Sequence, residues 1–180
     1  YCSAICCLEA TKKAMMAKDS RPGTEHHIFM MDMRSFGKGY MDYYNRARQE
    51  YGIAFTRCRI GSVIEDPKTG ELVLRYETET GELRQERFKM VVLSIGMEAA
   101  ESTQTLAAKL GLDLNEHGFC WTPGFAQAET SQPGIFVAGP LSQPKDTHDT
   151  VTQASAAVAK AEGLLAQVRH TLTQAKAYPP

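Results

Sequence analysis

The sequence has no apolar run approaching the ~20 residues that cross a bilayer as a helix, and its amino terminus lacks the charged-then-apolar order of a signal peptide. A membrane-spanning protein is therefore not expected, and a cytoplasmic location is. There is no excess of either charge: 20 basic and 21 acidic residues give a net charge of -1, with the signs interspersed. That leaves no electrostatic footprint for DNA, RNA or an anionic lipid surface. No G-x-G-x-x-G loop occurs, so a complete dinucleotide phosphate cradle is missing. The absence of a Cys-x-x-Cys pair argues against a dithiol enzyme, and no Ser-His-Asp or paired-carboxylate arrangement suggests hydrolysis.

What is present suits an ordinary globular chain. Its 180 residues, 43% hydrophobic and 23% charged, can bury one core or two small lobes. Cysteine is odd in number, five, and three of the five fall within the first seven residues: Cys2, Cys6 and Cys7. Such crowding in an intracellular chain points to metal or redox chemistry before a disulfide framework. The chain opens directly into this group without an initiating Met, so an upstream segment is expected.

Apolar periodicity predicts helices over residues 2–18, 40–51, 102–110 and about 150–171, with Ser102 capping the third and Asp149 or Thr150 the fourth. Short apolar runs predict strands over 27–33, 53–57, 90–96 and 134–139, the first and the last two buried. A β-meander is expected over 63–65, 71–77 and 83–88, punctuated by Asp66-Pro67-Lys68-Thr69-Gly70 and Glu79-Thr80-Gly81. His117-Gly118-Phe119 marks a turn. Helices alternating with short apolar strands give an α/β class with a parallel sheet.

Three features could carry chemistry. In Cys2-x3-Cys6-Cys7, positions 2 and 6 would share a helix face, whereas Cys7 is turned by roughly 100° from Cys6. The three thiolates converge only if the helix begins at or just after them, where its dipole would also lower their pKa. A four-iron cluster normally takes four thiolates. Cys58 and Cys120 read as small buried hydrophobes, and a zinc site would need a histidine that is not suitably spaced. The second feature is the run from Thr130 to Gly139, followed by a loop and a helix rich in small residues. It could bring backbone and a helix amino terminus to a flavin, or be any buried strand and helix. The third, Asp32 and Arg34 with Gly37-Lys38-Gly39, reads as an ion pair and a turn with a solvated lysine. His148, beside Asp146, reads as a solvated histidine.

Taken in order, four segments resemble the heterodisulfide reductase A-subunit family. They are Tyr-Cys-Ser-x-x-Cys-Cys at 1–7, Ile-Phe-x-x-Asp-x-Arg-x-Phe-Gly-Lys-Gly-Tyr at 28–40, Val-Val-Leu-Ser-Ile-Gly at 91–96, and Gly-Ile-Phe-Val-Ala-Gly with Pro-Lys-Asp and Val-Thr-Gln-Ala-Ser-Ala-Ala at 134–157. The resemblance implies a partial FAD/NAD(P)-binding, Rossmann-like fold of the thioredoxin-reductase type, carboxy-terminal within its parent. Residues 1–96 would be the later part of an inserted nucleotide-type domain, and residues 97–180 the closing part of the FAD-binding domain.

It further implies that Cys2, Cys6 and Cys7 are three ligands of a 4Fe-4S cluster whose fourth cysteine lies upstream. Gly139, Pro140, Lys145, Asp146, Thr150, Val151, Gln153 and Ala154 would line the FAD, with Lys145 as its positive neighbour. Pro140 stands where thioredoxin-reductase-like proteins carry a ribitol-binding Asp. Implied, too, is an electron-transfer subunit working with other subunits of a redox complex, the isolated segment holding neither cofactor fully and being inactive alone. A quinone-interacting membrane-bound oxidoreductase complex is a related setting. The competing expectation is a non-enzymatic docking module, and self-association into a homodimer is compatible with either.

Overall fold

The computed structural model of the protein describes residues 1–3 and 5–169. They form two compact units, residues 5–96 and residues 97–169 together with 1–3.

The first unit carries α1 (Cys6–Ser20), β1 (His27–Met30), α2 (Tyr40–Gln49), β2 (Ala54–Glu65), β3 (Leu72–Thr78) and β4 (Leu83–Phe88). Its single sheet has the order β1-β2-β3-β4. The β1-β2 pair is parallel, with His27 opposite Ala54 and Met30 opposite Arg57. The other two pairs are antiparallel, so the meander of the sequence reading is there and the sheet is mixed.

The runs 53–57 and 63–65, read as separate strands, are one strand. Residues 54–57 of β2 pair with β1 and residues 58–65 with β3, and the register shift between Ile60 and Ser62 passes the strand through Gly61. A bulge of this kind lets one strand bend between two neighbours. At the next turn the Asp66 side chain accepts the Lys68 amide at 3.0 Å, and Gly70 takes φ +72°, which favours glycine.

Two apolar clusters hold this unit. Met15, Ala47 and Ile53 are buried with Ile28, Tyr43 and Phe55 packed against them, so α1 and α2 close over one part of the sheet. Cys58, Leu74 and Tyr76 are buried against Phe29 and Phe88. The Tyr76 hydroxyl donates to Glu86, and that carboxylate holds the phenol above its ordinary pKa.

In the second unit, α3 (Glu101–Leu110) is followed by the 3-10 turn η1 (Gly139–Leu141) and α4 (Thr147–Arg169). The turn at His117-Gly118-Phe119 is built as expected: Asn115 Oδ1 accepts the amides of His117 and Phe119 at 2.9 and 3.1 Å, and Gly118 has φ +80°. Phe119, Cys120, Ala128 and Val137 form the buried interior. Tyr1 belongs to this unit, its ring 4.5 Å from that of His117.

Several boundaries differ from the sequence reading. The first helix begins at Cys6, not Cys2, and β1 ends at Met30, before the polar Asp32. The second helix stops at Gln49, ahead of Gly52 at φ +63°. Ser102 does not cap α3: Ala100 occupies that place with no side-chain cap bond, because the helix already starts at Glu101. The fourth helix starts at Thr147, and its cap is Asp146, whose Oδ1 accepts the Asp149 amide at 2.8 Å. The expected end of that helix at Thr171 lies outside the described residues.

Residues 90–96 and 134–139 are not strands. A strand needs a ladder of backbone partners. Residues 134–139 form no ladder: Phe136 makes an isolated bridge with Glu129, the Val137 amide reaches the Ala128 carbonyl at 2.9 Å, and the Ile135 amide turns back to the Gln132 carbonyl at 3.2 Å. Val92, Leu93 and Ile95 are exposed instead of buried.

Leu74→Ala removes the largest aliphatic side chain from the second apolar cluster. It is expected to lower stability by about 3 kcal/mol, measured by urea denaturation followed by circular dichroism; a loss well under 1 kcal/mol would mean that Leu74 does not hold the sheet to its covering residues.

Candidate functional site

The Gly139–Gln153 segment holds a connected group of buried polar side chains in the second unit. Ser142, Lys145 and Gln153 are each less than one-tenth exposed. Gly139 has φ +81°, and a Cβ there would sit 3.4 Å from Thr150 Cγ2, so the position is fitted to glycine both by conformation and by its close neighbour. The 3-10 turn at Gly139–Leu141 carries the chain to Ser142, and Pro140 on it is exposed. Lys145 enters just before Asp146 opens α4. The Thr150 hydroxyl donates to the Asp146 carbonyl at 2.7 Å, tying the first turn of the helix to its cap.

Bonding capacity resolves this network. Around Gln153 Oε1 lie the Gly139 amide at 3.0 Å, the Lys145 ammonium, and Ser142 Oγ at 3.3 Å. Around Nε2 lie the Gln127 carbonyl at 2.7 Å and Ser142 Oγ at 3.1 Å. A backbone amide and an ammonium only donate, so the atom facing both must be the oxygen. Ser142 has one proton; it goes to the Gly139 carbonyl at 3.2 Å, and the hydroxyl oxygen accepts from Lys145 Nζ at 2.9 Å and from Gln153 Nε2. Both lone pairs of Gln153 Oε1 and both Nε2 hydrogens are then in use.

Two of the three Lys145 ammonium hydrogens are taken by Ser142 and Gln153, and the third meets no acceptor among the described residues. Burial pushes the proton affinity of Lys145 below that of a free lysine, while the Asp149 carboxylate acts in the opposite sense. Its hydrogen-bond partners are both neutral. A buried cation without an anionic partner is costly and attracts anions.

The remaining residues expected at a flavin are placed as follows. Asp146 caps α4, so its side chain is engaged at the helix amino terminus. Val151 is 60% exposed on the first turns of that helix, and Ala154 is half-buried beside Gln153. The bonding role of Gln153 was missed in the sequence; the available signal was a carboxamide set among small residues near a helix start, close to a Ser and a Lys. His148 is exposed, as expected.

Of the cysteines, Cys2 is exposed in the second unit, while Cys6 and Cys7 form the first turn of α1 in the first unit. The Cys7 sulfur accepts the Arg34 amide at 3.4 Å and its thiol faces the Asp32 carbonyl at 3.5 Å, beside the end of β1. Among the described residues, no group of three or more His, Cys, Asp or Glu side chains is arranged to hold a metal ion. The donor set for an iron-sulfur cluster is thus not assembled by these residues alone. Cys58 and Cys120 are buried, and desolvation raises both thiols above their ordinary pKa, as suits small core residues. Asp32 pairs with Arg57 at 2.8 Å and Arg34 at 3.6 Å, a structural ion pair on a half-exposed surface, and Lys38 is solvated. No helix among the described residues is long and apolar enough to cross a membrane.

Residues 25–161 match the sequence profile of the pyridine nucleotide-disulphide oxidoreductases. The chain is 42% identical over 170 residues to the iron-sulfur A subunit of the CoB–CoM heterodisulfide reductase of Methanocaldococcus jannaschii, covering 93% of this chain and 26% of that protein. It is 39% identical over 169 residues to the second iron-sulfur A subunit of the CoB–CoM heterodisulfide reductase of Methanopyrus kandleri, covering 92% and 26%. It is 42% identical over 160 residues to the A subunit of the H(2)/formate:CoB-CoM heterodisulfide,ferredoxin reductase of Methanococcus maripaludis, covering 87% and 24%. The chain thus spans about a quarter of the length of these curated relatives.

Burial sorts the thiols. With an alkylating reagent at neutral pH, Cys2 is expected to react first and Cys58 and Cys120 last, and the two slow rates should keep climbing with pH beyond the range of an unperturbed thiol. Peptide mapping by mass spectrometry reads this, and early labelling of Cys58 or Cys120 would contradict their burial.

Proposed function

Because the chain belongs to the pyridine nucleotide-disulphide oxidoreductase family, we propose that it is part of a flavoprotein subunit that passes electrons between FAD and iron-sulfur centres inside a heterodisulfide-reductase-like complex. The observation that carries this reading is its similarity, over about nine-tenths of its length, to proteins named as the A subunits of heterodisulfide reductases. With no Cys-x-x-Cys pair in the sequence, the flavin would exchange electrons with metal centres and not with a dithiol of this chain.

The residues support part of a flavin site. When bound, FAD supplies a centre that can take up two electrons and release them singly. On the protein side, α4 directs its amino terminus, with the partial positive charge of a helix start, out of the Lys145–Thr150 stretch. Lys145 adds a buried cation with one ammonium hydrogen left over, suited to an anionic group of the cofactor. The Gly139 amide is already engaged by Gln153, so this glycine would contribute close approach and not an N–H.

On the iron-sulfur side, Cys2, Cys6 and Cys7 would supply three thiolates, two of them from the first turn of a helix. A fourth ligand would come from elsewhere in the protein. The other subunits of the complex would be the electron partners.

The test is an anaerobic absorbance spectrum with flavin and iron analysis of the intact protein. Wild type is expected to carry both cofactors, and the triple variant C2S/C6S/C7S to lose the iron of this site while keeping flavin. An intact protein with neither flavin nor iron would overturn the reading in favour of a docking module for partner subunits.

A further inference from the structure

The Lys145 ammonium is held by two neutral acceptors, and one of them, Gln153, has no bonding capacity left over. We propose that Gln153 serves this site as a positioning residue and not as a cofactor contact: its carboxamide oxygen clamps the Lys145 ammonium to the Gly139 amide, so that the remaining ammonium hydrogen is presented to an anionic ligand. This deepens the flavin reading above and rests on it for the identity of that ligand.

The geometry makes the clamp specific. Gln153 Oε1 receives the Gly139 N–H at 3.0 Å and the Lys145 ammonium, which exhausts its two lone pairs. Its Nε2 hydrogens are spent on the Gln127 carbonyl at 2.7 Å and on Ser142 Oγ at 3.1 Å. Four chain positions, 127, 139, 142 and 145, are thereby fixed to one side chain on α4. Gln153 is less than one-tenth exposed, so its carboxamide is inside the fold and not on the ligand side. Lys145 has a long, flexible stem, and the clamp fixes where its head sits inside the fold. Asp149 is the charged side chain that acts on the ammonium. It lies in the first turn of α4, and no acid bonds to Lys145 directly among the described residues.

A neutral acceptor in this place has a chemical consequence. A glutamate would keep an acceptor on the ammonium, while giving up the bond to the Gln127 carbonyl, and would cancel the ammonium charge, leaving little attraction for an anion. A methionine would fill the volume and keep the head buried but leave it one acceptor fewer, which disfavours the ammonium. The two substitutions therefore act on the lysine in opposite directions, which a merely structural role of Gln153 would not produce.

The experiment is a pH titration of Lys145 by NMR in the intact protein labelled at lysine Cε, with the signal assigned from Lys145→Arg. It is run on wild type, Gln153→Glu and Gln153→Met, with and without flavin. In the flavin-free protein, Gln153→Glu is expected to raise the proton affinity of Lys145 by roughly tenfold or more, one pKa unit, and Gln153→Met to lower it. In the loaded protein both variants should release flavin more readily than wild type. An unchanged titration in Gln153→Glu overturns the inference, and so do shifts of the same sign in both variants. Should Gln153→Met fail to fold, the near-isosteric Gln153→Glu decides alone. An intact protein that shows the opposed shifts but takes up no flavin would sink the flavin reading and leave the clamp standing as a clamp.

Discussion

The Gln153 carboxamide, buried in one unit, ties together backbone at positions 127 and 139 and side chains at 142 and 145. The buried Gly139 amide would otherwise be a donor without a partner, at a cost of about 1–3 kcal/mol. The conformation of the 139–146 loop follows from that constraint. Gly139 must turn at positive φ to aim its amide at Oε1, Ser142 must face inward to accept two donors, and Lys145 must fold its stem back over the loop. The helix that presents Gln153 is fixed in turn by its cap, Asp146, one residue beyond Lys145. Loop and helix start are one cooperative piece.

Partner supply also decides the sheet of the other unit. Strand β2 is long because it is served on both flanks, by β1 over its first residues and by β3 over the rest. Its composition gives no hint of this continuity, since Gly61 and the polar Arg57, Arg59 and Ser62 break the apolar pattern. Conversely, residues 90–96 have the composition of a fully buried strand and form none. An apolar run specifies that a segment can be a strand; neighbouring backbone specifies that it is one.

The same distinction marks what could be read from the residues. Elements fixed by local chemistry were legible: β4 over Leu83–Phe88, the turns at Gly70, Gly81 and Gly118, and the α2 start after Gly39, which has φ +85°. Elements that depend on distant partners were misplaced, including the runs at 90–96 and 134–139 and the fusion of 53–57 with 63–65. At the candidate site, the segment was legible and the roles were not. Lys145 could be singled out by sequence resemblance, whereas the clamp could not, because a glutamine in a helix of small residues carries no periodic or charge signal. The cysteines divide similarly. That Cys58 and Cys120 are core residues follows from their surroundings in sequence, while the bond from the Arg34 amide to Cys7 sulfur needs the fold to bring residues 7 and 34 together.

The chemistry of Lys145 turns on what its neighbours are not. Most buried cations sit against a carboxylate, and the pair is then electrically quiet at a distance. Here the partners are a hydroxyl and a carboxamide, dipoles that orient the ammonium without neutralising it. Asp149 offsets part of the charge only through space, and burial costs the ion more than that attraction returns, since desolvation is the larger influence on its proton affinity. The unrelieved cost is the physical source of affinity for an anion: a ligand that brings negative charge to the third ammonium hydrogen recovers it, and one that gains negative charge on reduction recovers it only in the reduced form. A fully compensated lysine could not discriminate between those two states of a ligand. A lysine held by neutral acceptors can.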